Sequence, residues 1–375
     1  MAWTALGLVI LAVVSVGAWF LLRGRPAAPP ARPRAPAPQP LPARPPGPAA
    51  PPNTAPGTPE EEAEAEAVVE RPPVTLPLLA AEVLDETRTG QLVESLRQLP
   101  RPPRAIHELM APQFVQTASS ADLAAIVMGE PAIAARVVAT ANSPMYALRQ
   151  PVTSVGQAIT FLGLSSVRQM CLQHMLADCF QPRDAAQQRE FDVLWRASSI
   201  AGELCQQLAP KLTTVKPASL VTLLVLSFLG RQAGAALLDA SAMEGMDAFD
   251  RALHEQQTLG LASHELGHLL MRAWDVPLDL AEDARLLSAL RFNPERTVAP
   301  GRETALALGA LCALLGERIA RGQVKDALYD PARDPGPDMA ALRPRLSRPP
   351  LDTLARELNA PAMQHVISRL TGTAR

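Results

Sequence analysis

Excess positive charge is missing from this sequence: 35 Lys and Arg stand against 37 Asp and Glu, a net charge of -2. A protein that neutralises a nucleic-acid backbone needs a cationic surplus, so DNA and RNA are not expected as main partners. Cysteine is limited to Cys171, Cys179, Cys205 and Cys312, in apolar stretches with no C-x-x-C pair. That usage fits buried thiols in a reducing compartment rather than a disulfide framework. Strand-like alternation is scarce, and no glycine-rich loop of the nucleotide-cradling kind occurs. These gaps leave an all-α protein in which no cofactor is expected.

Charge is absent again from Met1 to Leu22. About 20 apolar helical residues cross a hydrocarbon core roughly 30 Å thick, so this segment is long enough to span. Trp3 at one end and Trp19 with Phe20 at the other suit the two headgroup layers. No basic residue precedes the span, whereas Arg23, Arg25, Arg32, Arg34 and Arg44 follow it. Basic flanks stay inside, which predicts a single-pass protein of the inner (cytoplasmic) membrane with its C-terminal part in the cytoplasm. A cleaved signal peptide would want a basic n-region and a small-x-small cleavage site.

Proline is what the chain has in plenty, 38 residues, 15 of them between Pro26 and Pro59. Between Pro26 and Pro59 it alternates with alanine and arginine, which excludes a helix or a sheet ladder and predicts polyproline II or disorder. Such a stalk reaches roughly 100 Å at about 3.1 Å per residue. Glu60, Glu61, Glu62, Glu64 and Glu66 then reverse the sign of charge, as a solvated acidic face. The organisation read from these shifts is a transmembrane helix over 1–22, a disordered linker over 23–75, a helical domain over 76–323 and a partly irregular extension over 324–375.

Within the domain, apolar residues recur at three- and four-residue spacing. Pro131 suits a first helical turn ahead of the stripe Ile133, Val137, Val138 and Ala141. Ser154 with Gln157 reads as a capping box whose helix Gly163 should stop in a left-handed conformation. Asp279 with Glu282 reads as a second box, after Pro277 has ended the helix that carries Trp274.

The run Glu130-Pro131-Ala-Ile-Ala-Ala-Arg136, then Ala141-Asn142-Ser143-Pro144-Met145-Tyr146, Pro151-Val-Thr-Ser154 and Gln157-Ala-Ile159 through Leu162-Gly163-Leu164 resembles the signature of the HDOD family, metal-free relatives of HD-type phosphohydrolases. Leu99-Pro100-Arg-Pro102-Pro103 precedes it, as in the family. Trp195-Arg-Ala197-Ser resembles the family's W-R-H-S, and Gly260, His264, Gly267, Trp274 and Pro277 resemble its closing helix. The resemblance spans roughly Leu96 to Leu290. It implies an all-helical fold and a place in bacterial signal transduction, beside second-messenger enzymes or sensor kinases.

In catalytic HD relatives a histidine, a His-Asp pair and further histidines gather metal ions that activate water. Aligned on Gly230, the pair is here Ser227 and Phe228, the W-R-H-S histidine is Ala197, and the later histidine positions hold Leu287, Ser288 and Ala289. These side chains offer neither imidazole nor carboxylate, so the resemblance implies a non-catalytic member with no metal.

One motif points elsewhere. His264-Glu265-Leu-Gly-His268 matches H-E-x-x-H, which on a helix sets two imidazoles one turn apart beside a general base. A zinc metallopeptidase still needs a third protein ligand, and Met271 and Trp274 stand where the extended pattern has glycine and histidine. Glu282 is the downstream candidate. His107, His174, His254 and His365 are isolated in helical contexts. Two further functions follow from the missing ligands: docking of other signalling proteins through Asn142, Tyr146 and Arg149, or sensing of a nucleotide-like ligand in the old cleft.

Overall fold

A computed structural model describes residues 75–372 of the chain except 147–148, 300, 325–328 and 332. The span expected over 1–22 and the linker expected over 23–75 lie outside these, apart from Thr75. The described residues form α-helices α1 (Glu86–Arg97), α2 (Ala105–Met110), α3 (Pro112–Thr117), α4 (Ser120–Met128), α5 (Pro131–Ala141), α6 (Val155–Leu162), α7 (Leu164–Ala177), α8 (Ala185–Leu212) and α9 (Pro217–Ser227). There follow α10 (Leu229–Leu237), α11 (Ala248–Leu259), α12 (Ser263–Ala273), α13 (Leu278–Ala289), α14 (Glu303–Ala320), α15 (Pro337–Leu346), α16 (Leu354–Leu358) and α17 (Pro361–Thr371). No strand occurs among the described residues, as the spacing of apolar residues predicts.

Local signals set most of the boundaries. Pro131 is the first residue of α5, where its missing N–H has no helical partner to lose, and Ile133, Val137 and Ala141 are buried on one stripe. Ser154 Oγ accepts from Gln157 N at 3.2 Å, but the Gln157 amide oxygen reaches one residue further back, to Thr153 N at 2.7 Å. Gly163 has a positive φ of 84° with an extended ψ of 156°, so it turns α6 directly into α7 rather than closing a left-handed cap. The box expected at Asp279 and Glu282 does not form. Pro277 takes the N-cap position of α13, which leaves Asp279 inside the first turn, where its charge still suits the helix dipole.

The long α8 lies along α14, and α9, α13 and α15 complete the centre of the body. Among the residues expected as a C-terminal extension, α15 packs on α14, and α17 packs on α8 and α14. The apolar stretch Pro217–Leu237 is long enough to cross a membrane by composition, yet 78% of it is buried among other helices. It breaks at Phe228 into α9 and α10.

The tightest crossing joins α10 to α12. A Cβ on Gly230 would lie 1.8 Å from the Ser263 carbonyl oxygen, and one on Gly267 would lie 2.9 Å from Gly230 Cα. Both neighbours are backbone and cannot yield without moving a helix. Gly230→Ala should therefore destabilise the protein by about 1–3 kcal/mol or more, read as a lowered urea midpoint at unchanged slope; an unchanged midpoint would show that the two helices can separate.

Candidate functional site

Where the resemblance places the lost metal ligands, the chain brings Ser227, Phe228 and Ser288 together. Ser227 ends α9, Phe228 fills the break before α10 with 2% exposure, and Ser288 donates to the carbonyls of Ala284 at 3.0 Å and Ser227 at 3.3 Å. The cavity they share with Arg231, Arg291 and Glu317 measures about 20 Å³, room for one water. Ala197 is not among its lining residues. Its carbonyl lies against Gly316, where an added Cβ would approach to 2.4 Å.

Charge at this centre is carried by guanidinium and carboxylate. Glu317, on α14, takes Arg231 Nη1 at 2.8 and 3.0 Å and Arg291 at 2.9 and 3.3 Å. Arg291 also reaches Asp338 at 3.1 Å, and Asp338 in turn takes Arg318 at 2.7 Å. Arg318 pairs with Asp334, which also accepts from the Tyr329 hydroxyl. A second group lies close by, with Glu190 between Arg251 at 2.7 Å and Arg321 at 2.7 and 3.1 Å. Burial alone would raise the Glu317 carboxyl, but the charges of Arg231 and Arg291 hold it far below the usual carboxylate range. Burial likewise opposes the Arg291 charge, and Glu317 with Asp338 more than restores it.

These residues do not fit a divalent metal. The carboxylate at the centre is already shared between two guanidinium groups, and their positive charge repels a cation. Among the described residues no three His, Cys, Asp or Glu side chains converge in a metal-holding group. Arg231, Arg291 and Glu317 also form the inner wall of an open cleft of about 680 Å³, to which Arg251, Arg318, Arg321 and Arg333 contribute.

The H-E-x-x-H residues sit on α12 and turn to separate partners. His264 Nε2 is 3.5 Å from Glu265, and His268 Nε2 is 3.5 Å from Glu282. Glu265, fully buried, takes Arg285 Nη1 at 3.1 Å and the Ala81 N–H at 3.2 Å. Glu282 pairs with Arg285 as well, at 3.3 Å. Burial pushes the His264 imidazole down to about 3, helped by Arg296 and Arg285, so it is neutral at pH 7.

The proposed docking residues separate into different roles. The Asn142 amide accepts from Val152 N and donates to Val152 O, each at 2.8 Å, and so clamps the loop after α5. Tyr146 is half-buried against the main core, and burial followed by the Glu203 charge pushes its phenol up to about 12. Arg149 is exposed. The family-signature residues are structural by their surroundings: Trp195 and Trp274 both flank the Phe180 ring, at 6.4 and 6.0 Å. Arg136 pairs with Asp178, and the Ser143 carbonyl accepts from Tyr146 N at 3.1 Å.

Two features escape a reading of sequence. The central network joins residues 26 to 86 positions apart, and its one linear hint is a glutamate, Glu317, ending the apolar run of α14. Arg168 is the other. It is fully buried and spans α2, α7 and α9 through the carbonyl of Leu109 at 2.8 Å, the carbonyl of Ala218 and the hydroxyl of Thr222 at 2.8 Å. Burial lowers it to about 10, which leaves it charged at neutral pH.

The family model of the HDOD domain matches residues 99–289. Among solved structures, an HDOD domain protein of unknown function from Geobacter sulfurreducens is 15% identical, with a TM-score of 0.51 over 75% of this chain and 98% of that one. A candidate phosphohydrolase from Shewanella amazonensis is 19% identical, with a TM-score of 0.48 over 75% and 97%. A candidate signal-transduction protein from Marinobacter aquaeolei is also 19% identical, with a TM-score of 0.49 over 78% and 68%. At these identities the likeness is one of fold. No curated protein matches the chain.

Two outcomes follow from the site. Glu317→Gln leaves two buried guanidinium groups short of a counter-charge and should cost about 3–5 kcal/mol, whereas replacing Glu317, Arg231 and Arg291 together by apolar residues of similar volume should cost much less. Equal losses in urea unfolding would contradict this. His264 is depressed from 6.5 to about 3, so its contribution is complete above about pH 6.5 and declines as pH falls towards 3. His264→Asn should therefore flatten the slope of unfolding free energy against pH between roughly pH 6 and 4.5 by about 1.4 kcal/mol per unit; an unchanged slope would mean the ring is protonated in the fold.

Proposed function

This chain belongs to the HDOD family, and from that premise we propose that it is a signalling protein acting by association, without hydrolytic chemistry of its own. The observation that carries the reading is the Arg231–Glu317–Arg291 group beside Ser227, Phe228 and Ser288, where catalytic relatives need imidazole and carboxylate ligands. A centre filled by its own ion pairs offers a metal only a carboxylate already shared between two guanidinium groups, and the cavity of about 20 Å³ beside Ser227 and Ser288 is too small for a phosphate. Partners of the kind found beside HDOD domains are second-messenger enzymes and sensor kinases. The apolar N-terminal segment and its basic flank support tethering at the inner face of the cytoplasmic membrane. Of the three docking residues, Asn142 and Arg149 are exposed, but the Asn142 amide is spent on Val152, and arginine is a residue type enriched at interface hot spots.

A second reading has its own support. The arginine-walled cleft of about 680 Å³ is large enough for a nucleotide-like ligand that is sensed and not cleaved. Screening nucleotides by thermal shift separates this from the first, because a ligand that binds only the folded state must raise the melting temperature.

Capture of a signalling protein from solubilised membranes should be lost in Arg149→Glu at unchanged melting temperature; capture that persists removes Arg149 from the interface. With manganese or magnesium added, phosphodiester and cyclic dinucleotide substrates should stay uncleaved. Turnover that disappears in Ser227→Ala or Ser288→Ala would overturn the non-catalytic reading.

A further inference from the structure

Of the residues leading into the helical body, Leu76 and Leu78 pack apart from its main core, which Ala81 and Leu84 then join. Thr75 to Leu84 lie as a largely extended strap, with one short turn at Ala81–Val83, across α11, α12 and the residues after α13. The strap is read through its backbone. Gln256 accepts from Leu79 N at 2.6 Å and donates to the Pro77 carbonyl at 3.1 Å, while Leu76 N donates to the Phe292 carbonyl at 3.0 Å and Ala81 N to Glu265. Leu76 and Leu78 pack on Phe249, Ala252, Ala262 and Phe292, a small apolar cluster separate from the main core. The two rings of this floor lie 5.4 Å apart.

The fit is incomplete. A space of about 110 Å³ remains between the strap and His264, Asn293 and Arg296, and the buried Nδ1 of His264 has no hydrogen-bond partner. Val83, at the far end, is 67% exposed. An amide that holds the N–H and the C=O of one extended segment, apolar seats for alternate leucines and an unsatisfied polar group beneath are the features of a groove for extended peptides. Residues 75–80 belong to no helix, and a segment of that kind opens more readily than the core it covers.

We infer that this groove is a peptide-docking site, and that its resident Leu76-Pro77-Leu78-Leu79 is exchangeable for an extended leucine-proline-leucine segment of a partner protein. An acidic residue five positions beyond that proline is matched too, because Glu82 here meets Arg285 at 3.6 Å. A larger hydrogen-bonding side chain pointing into the open space would reach His264 and hold the groove better than the strap does. The resident segment, tethered in cis, competes at an effective concentration of about millimolar, so the partner binds tightly only when the strap is released. This deepens the association reading by giving it a surface, and the peptide assay below reports on the groove whether or not that reading holds.

The test uses the full chain in detergent and a fluorescein-labelled peptide of the strap sequence from Thr75 to Val83, followed by anisotropy. Leu76→Asp with Leu78→Asp empties the groove in cis and should bind the peptide at least about tenfold more tightly than the wild type; adding Gln256→Ala should abolish that gain. The proposal is overturned if the emptied protein, with an unchanged circular dichroism spectrum, binds no better than wild type, or if binding survives Gln256→Ala. Hydrogen exchange on the wild type gives a reading that needs no variant: the amides of Leu76, Leu79 and Ala81 should exchange much faster than those of α12. Equal protection of strap and α12 would show that the segment is a fixed part of the fold.

Discussion

The buried carboxylate of Glu317, gripped from two sides by Arg231 and Arg291, is the constraint on which the arrangement of the centre depends. It joins α14 to α10 and to the residue two beyond α13, and through Arg291 and Asp338 it draws in α15. A buried ion pair contributes little over an apolar substitute, because desolvation offsets most of the attraction. Removing one partner is another matter, since the remaining charge has nowhere to go. The network therefore specifies which helices meet and in what register more than it adds stability. It also decides the chemistry: a site balanced by guanidinium groups leaves a divalent cation unwelcome.

That balance connects the sequence substitutions to the geometry. Ser227, Phe228 and Ser288 border a space the size of one water, and the adjoining arginines pair with Glu317. The open cleft beyond them is lined by both arginines and carboxylates, among them Asp247, Asp334 and Asp338, with no metal-holding group among the described residues. On the other side of α12, the two histidines of the H-E-x-x-H motif divide between Glu265 and Glu282, and Arg285 supplies the positive charge to both carboxylates. In both places the carboxylates are paired with arginine.

The helices were legible because their signals are local. Pro131 starts α5, and Ser154 caps α6, through neighbours within a turn of the chain. The box expected at Asp279 failed for a local reason too, since Pro277 holds the N-cap position with its fixed φ. The HDOD resemblance was carried by a loop whose clamp, Asn142 on Val152, spans ten residues, so its presence could be read although its role could not. The network was hidden because Arg231, Arg291 and Glu317 look like ordinary charges far apart in the chain. The strap was hidden as well: from Leu76 on the chain reads as part of the helical domain, and only the hydrogen bonds to Gln256 and Phe292 show an extended segment held there.

Elemental analysis of the full chain, purified after growth with manganese, iron and zinc supplied, tests the central claim most directly. The account predicts no stoichiometric metal in the protein. One or more ions per chain, retained through gel filtration and lost on replacing Ser227 and Ser288 or His264 and His268, would contradict it.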